Sequence, residues 1–217
     1  MTDELHEVIK QAIHRIATEL QNSRENEIHV TDLTTCIRRS YYMKKHGFPM
    51  DENMAFWLLF GHIVHRIVAP EIAKALDGDV EVEKVFEWDG VEIHATADIL
   101  TDKYVIELKT CNRIPQHPYE SHLEQVNAYM HIFDKPIAKI VYISRSQLET
   151  KVFTYYGDWQ LFIYTMQKAT VLHKHLQLNT PPPCNLPPSD RKFYCKNCPF
   201  LSKCQEDANA TGLDNKW

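Results

Sequence analysis

Residues 94–109 read HATADILTDKYVIELK. The spacing predicts two short strands joined by a tight turn, with Asp98 near the end of the first and Glu107 and Lys109 on the second. Side chains of a strand alternate faces with period two. Glu107 and Lys109 therefore share one face with Val105, and Tyr104, Ile106 and Leu108 take the other. A turn centred on Asp102 and Lys103 pairs 101 with 104, 100 with 105, 99 with 106 and 98 with 107. Asp98 then faces Glu107, with Cβ atoms roughly 4.5–5.5 Å apart. Facing carboxylates repel unless a proton or a cation lies between them. With a lysine two residues along, the set suits a hard divalent metal beside a phosphate.

The flanking sequence builds an α/β (α+β) unit around this hairpin. Residues 79–88 alternate as a strand, and Asp89-Gly90 is a strong hairpin turn leading into a strand over 91–100. Val91, Ile93, Ala95, Ala97 and Ile99 give that strand an apolar face, opposite Glu92, His94, Thr96 and Asp98. The loop CNRIPQHPY precedes a helix from about Glu120 to Phe133, on which Gln125 and Tyr129 stand i, i+4 on one face. Two strands, 137–144 and 149–156, follow. Asp158 caps a long helix, and the extended segment TPPPCNLPP cannot be helical.

Upstream, residues 2–21 carry a helical stripe (Leu5, Val8, Ile9, Ala12, Ile13, Ile16, Leu20), and the polar linker QNSRENE follows. Thr31 or Asp32 is placed to cap a helix that ends near His46, with Gly47 at C′. It carries Cys36 and the basic residues Arg38, Arg39, Lys44 and Lys45, which suit either a solvated face or a DNA contact. Residues 53–69 form an apolar helix, kinked or ended by Pro70 and continued to Leu76. His62, His65 and Arg66 are its polar members. A histidine on such a helix is usually a hydrogen-bonded core residue.

The bulk numbers bound the class. At 217 residues, with 44% apolar and 24% charged residues, the chain suits one globular domain or one with an appendage. A net charge of −5 neither announces nor excludes a nucleic-acid partner, because a local basic groove decides that. No apolar run reaches transmembrane length, and MTDELHEVIKQ lacks a signal-peptide core. The expected location is cytoplasmic and away from membranes, where the six cysteines are reduced, metal-bound or free. Cys195-x2-Cys198-x5-Cys204 has metal-ligand spacing but leaves a tetrahedral site one ligand short. Cys36, Cys111 and Cys184 are the candidates for the fourth, and zinc competes with an iron–sulfur cluster.

Taken together and in order, these residues resemble the PD-(D/E)XK nuclease superfamily. Within it they resemble the CRISPR-associated, RecB-like exonucleases that carry an iron–sulfur cluster. His65 in GHIVHRI matches the family's metal histidine, with His62 a nearby alternative. Asp98 matches its aspartate, although Ala97 stands where the family has proline. Glu107-Leu108-Lys109 matches E-x-K, and Gln125 with Tyr129 matches Q-x-x-x-Y. Cys36, Cys195, Cys198 and Cys204 match the split cluster ligands. The likeness runs from about Val30 to Cys204; the first 28 residues have no counterpart.

The resemblance implies a restriction-endonuclease-like core, a central mixed sheet flanked by helices, with a four-iron, four-sulfur cluster joining N- and C-terminal segments. On this reading residues 1–217 form a single nuclease domain: a helical part (1–76) contributing Cys36, a nuclease core (77–178) and a cysteine segment (179–217). It implies a Mg2+- or Mn2+-dependent deoxyribonuclease. Asp98, Glu107, Lys109, Gln125 and Tyr129 would be catalytic, and His65, Asp98, Glu107 and the Leu108 carbonyl would hold the metal. A histidine nitrogen in that set favours Mn2+ relative to an all-oxygen site. The expected activity is exonucleolytic, 5′-to-3′ on single-stranded DNA or ends. Its expected place is CRISPR adaptation (prespacer processing) or related DNA processing, with CRISPR integrase proteins as partners. The competing readings are a non-catalytic DNA-end-binding subunit with a structural metal cluster and a zinc-ribbon interaction protein.

Overall fold

The computed structural model describes residues 2–22, 27–147 and 149–211. Most of the linker 21–27 and the last six residues lie outside them.

The centre is a mixed sheet. β2 (Asp79–Trp88) and β3 (Val91–Leu100) form an antiparallel hairpin paired from Asp79↔Leu100 to Trp88↔Val91, broken at Glu81, which takes a left-handed φ of 48° opposite Asp98. Asp89 and Gly90 turn it with φ of 52° and 74°, the left-handed conformation a two-residue hairpin requires. On its other edge β3 is shared by two strands. β1 (Ile28–His29) runs parallel to Ile93 and His94, and β4 (Tyr104–Cys111) pairs antiparallel only at Ile99↔Ile106 and Leu100↔Val105. Residues 95–98 have no ladder partner on that edge, and the functional site forms there.

Beyond β4 the sheet continues with β5 (Ile137–Ser144), parallel to it, and β6 (Thr150–Tyr156), antiparallel to β5. The β4-to-β5 crossover is α5 (Glu120–Ile132), as a parallel pair demands. The predicted apolar face of β3 is buried: Val91, Ile93, Ala95 and Ala97 share one core with Val105, Ile140, Met166 and Leu172, while Ile99 packs with Leu108, Ile106, Ala69 and Ala73 in a second. At the turn into β2, a Cβ on Gly78 would lie 2.8 Å from the Leu100 carbonyl oxygen, so only glycine fits without a shift.

Helices cover the sheet. α1 (Thr2–Asn22) packs along α4 (Glu52–Ala75), which runs unbroken through Pro70, and α6 (Trp159–Leu178) starts on Asp158, whose carboxylate accepts from the Gln160 and Leu161 amides. The single helix expected over 31–46 is two: α2 (Val30–Leu33) and α3 (Ile37–His46). Cys36 caps α3 from an extended conformation instead of lying on a helix. His29, not Thr31 or Asp32, is the first cap, and the Asp32 carboxylate reaches back to the His29 amide at 2.9 Å. The cysteine segment carries two helices, the short α7 (Pro188–Tyr194) and α8 (Leu201–Thr211), which includes Cys204. No helix among the described residues is long and apolar enough to cross a membrane.

Candidate active site and cysteine chamber

One cleft of 680 Å3 gathers residues from α4, β3, β4 and α5, with His62, His65, Asp98, Glu107, Leu108, Lys109, Gln125 and Tyr129 on its walls. His65 faces the sheet at the level where β3 leaves β4, and its Nδ1 lies 3.0 Å from Asp98 Oδ1. Asp98 does not sit in a ladder pair with Glu107, because pairing stops at Ile99↔Ile106. Its Oδ2 instead accepts the Leu108 amide at 2.7 Å, so the carboxylate takes the place of a strand neighbour.

Glu107 is 3% exposed. Its Oε1 is crowded with donors: Lys109 Nζ at 2.7 Å and Gln125 Nε2 at 2.9 Å. Its Oε2 is buried with no partner, an unusual state for a carboxylate oxygen. Burial, with the negative charge of Asp98 added, pushes the Glu107 carboxyl up to about 7, while Lys109 and His65 oppose the rise. Burial alone would lower His65, but its hydrogen bond and charge attraction to Asp98 outweigh that and raise it.

Gln125 is the junction of the site. It accepts from Lys109 Nζ on Oε1 (2.8 Å), and its Nε2 lies 2.9 Å from Glu107 Oε1 and 3.1 Å from the Tyr129 hydroxyl. These partners fix the orientation of its amide. Gln125 and Tyr129 are 4% and 3% exposed, so little of either side chain reaches the cleft surface. Trp57, on the cleft wall, carries the Arg145 guanidinium 4.0 Å from its ring centroid, a pair that spacing alone does not reveal. Beside the site, burial and the Lys109 charge press His122 down to about 3, leaving a neutral ring 2.7 Å from the Tyr142 hydroxyl.

A second chamber of 420 Å3 is lined by Cys36, Cys184, Cys195, Cys198 and Cys204. Cys111 is not among them; its Sγ contacts the Ile143 carbonyl on the sheet, which removes it from the candidates. The chamber walls come from distant segments. Arg38 Nε donates to the Pro182 carbonyl at 2.6 Å, and its Nη1 to Cys204 Sγ at 3.4 Å, 166 residues away in the chain. The Tyr42 hydroxyl donates to Asp207 at 2.7 Å, and the Tyr42 and Phe200 rings pack 5.7 Å apart. Arg38 is therefore a buried bridge between the two ends of the fold, 4% exposed, and no candidate for DNA. Lys44 is likewise held inside, on Asp32 at 2.8 Å and the Glu27 carbonyl at 2.6 Å. Lys45 and Arg113 remain exposed.

The thiols feel one another. A hydrogen bond to Cys184, with burial, drives Cys36 far above the usual thiol range. The same bond draws Cys184 down to about 6. Burial and the neighbouring cysteines raise Cys195 to about 11. Among the described residues no three His, Cys, Asp or Glu side chains have closed to coordination geometry, either here or in the cleft. In the cleft the side chains satisfy one another as His65–Asp98 and Lys109–Glu107 pairs.

No protein-family model matches the chain, and no curated protein matches it. Among solved structures it is similar to SSO0001, with 22% identity and a TM-score of 0.68 over 90% of this chain and 96% of that one. It is also similar to an alkaline exonuclease from Laribacter hongkongensis, with 11% identity and a TM-score of 0.54 over 74% of this chain and 93% of that one. A phage-related exonuclease from Haemophilus somnus 129PT aligns at 13% identity and a TM-score of 0.53, over 70% of this chain and 95% of that one. At such identities the likeness is one of fold: a central mixed sheet flanked by helices, shared with exonucleases.

Proposed function

We propose that the protein is a divalent-metal-dependent DNA exonuclease acting on single-stranded DNA or single-stranded ends, with Asp98 and Glu107 at its centre. The observation that carries this reading is Glu107 Oε2, a buried oxygen with no partner, on a carboxyl whose pKa is raised beside a second carboxylate. Such an arrangement fits a cation better than it fits the empty protein. Asp98 and Glu107 would hold Mg2+ or Mn2+, with His65 as a nitrogen ligand and the Leu108 carbonyl as a further oxygen. The metal would supply Lewis-acid charge at the scissile phosphate and a nucleophile at neutral pH.

The chain's own residues do the rest. Lys109, held at its ammonium by Gln125 and Glu107, presents positive charge where the phosphate gains negative charge. Gln125 locks Lys109 and Glu107 in register, and Tyr129 sets the Gln125 amide. Both are positioning residues, since they act through Lys109 and Glu107. His65, once released from its contact with Asp98, offers Nδ1 or Nε2 toward the same point. The five thiols and the Arg38 donor suit an iron–sulfur cluster, which would tie α3 to the C-terminal helices and couple its own binding to folding. The order of motifs further supports a role in CRISPR adaptation with integrase proteins as partners.

The test is digestion of end-labelled single-stranded DNA in Mn2+ or Mg2+. The parent shortens the strand from an end and stops when the metal is chelated. Glu107→Ala should cut at least about 10³-fold more slowly. A variant that cuts at the parent's rate removes the catalytic assignment and leaves DNA-end binding as the reading.

A further inference from the structure

The spacing of the late cysteines and the family likeness account for four thiols, Cys36, Cys195, Cys198 and Cys204. A fifth, Cys184, lines the same chamber. It is not placed there by accident of a passing loop, because the residue after it clamps the backbone around Cys36. Asn185 Oδ1 accepts from the Ile37 amide at 2.9 Å, and its Nδ2 donates to the Thr35 carbonyl at 3.3 Å. Those contacts grip the chain on both sides of Cys36, so Cys36 and Cys184 move as one unit. Both side chains face the same chamber. The opposite wall is equally defined: a tight turn closes with the Cys198 amide on the Cys195 carbonyl at 3.0 Å, and the Cys204 amide bonds the Phe200 carbonyl at 2.9 Å. Cys184 lines the one chamber together with Cys195, Cys198 and Cys204.

A cubane cluster takes four thiolates. Three come from one wall, and two side chains compete for the remaining corner. We infer that Cys184 is a ligand of this chamber's metal group, exchanging with Cys36 at the fourth corner. The exchange balances without an oxidant: the incoming thiol gives up its proton and the departing thiolate takes one up. At any moment one of the two is a spare thiol beside the cluster. The inference rests on the iron–sulfur reading above, and the measurements separate the two.

The full chain is purified anaerobically and reconstituted with iron and sulfide, as the parent and as Cys36→Ala, Cys184→Ala and the double variant. Iron and sulfide per chain are measured together with the visible absorption band. Each single variant should keep at least about half of the parent's iron, and the double variant should lose it about fivefold or more. A Cys36→Ala protein as empty as the double variant, beside an unaltered Cys184→Ala, overturns the inference and makes Cys184 a bystander. A parent that takes up zinc or no metal overturns the cluster reading, and the inference with it. Should the variants fail to fold, the loaded parent still decides. Brief alkylation and peptide mass mapping should divide a single label between Cys36 and Cys184, with Cys111 counted separately. Label on Cys184 alone contradicts the exchange.

Discussion

The cleft and the cysteine chamber are built by opposite means. In the cleft, the central side chains hold one another: His65 with Asp98, Lys109 with Glu107, Gln125 with both Lys109 and Glu107. The frame is the sheet itself, which holds these side chains in place before any added group arrives and leaves Glu107 Oε2 open to one. The chamber has no such frame. Its thiols hang from a cap residue, an extended proline-rich segment and short helices, and a few polar stitches join them: Arg38 to Pro182 and Cys204, Asn185 to Thr35 and Ile37. A pre-formed site loses function when one side chain is removed but keeps its fold. A stitched site loses structure when its metal goes. That difference separates the two regions experimentally.

The largest effect is expected in the chamber. Cys198→Ala should give colourless protein with a markedly lower Tm, because structural metal binding in small ligand sets contributes on the order of 10 kcal/mol to the folded state. Thermal scans and visible spectra check this. A variant as stable and as coloured as the parent would place the chamber outside the fold's stability.

In the cleft, Gln125→Ala should slow cleavage about 10²-fold at nearly unchanged KM, since the residue sets Lys109 and Glu107 without touching the strand. Tyr129→Phe, one bond further back, should slow it only about fivefold or less. A rise in KM with kcat intact would instead put Gln125 on the DNA.

The smallest effect is on the pH dependence of the metal-free protein. Glu107 is raised from 4.5 to about 7 and His65 is raised above 6.5, so both bind protons more readily folded than unfolded. Their contribution is complete below the ordinary values and is lost as pH rises through the folded ones. The Tm should therefore fall by a few degrees between about pH 5 and 8, and less so in Glu107→Gln. A Tm that rises over this window would contradict the burial of an uncompensated Glu107 oxygen.

The difference also explains what was legible in the sequence. The bounds of β3 follow from its alternation, because one buried face enforces period two, and Asp89-Gly90 fixes where β2 turns into it. Asp98, Glu107, Lys109, Gln125 and Tyr129 fall into one cleft because a hairpin and a crossover helix place them by local geometry. The end of the β3–β4 ladder at Ile99 was not legible, since it depends on the Asp98 carboxylate taking the Leu108 amide. The break between α2 and α3 was hidden because both helices keep apolar positions in phase across it. Arg38 looks like any surface cation in a basic cluster; only the return of residues 182–204 buries it. Cys184 is the same case: its partner is 148 residues upstream, and no local pattern announces the contact.

The most direct test of the central claim is manganese binding by electron paramagnetic resonance at pH 8, on the parent and on Glu107→Gln with equal visible absorption. The account predicts one Mn2+ per parent chain at the cleft and at least about tenfold weaker binding in the variant, with the chamber untouched. Equal Mn2+ affinity in the two proteins would show that the Asp98–Glu107 pair does not hold the metal.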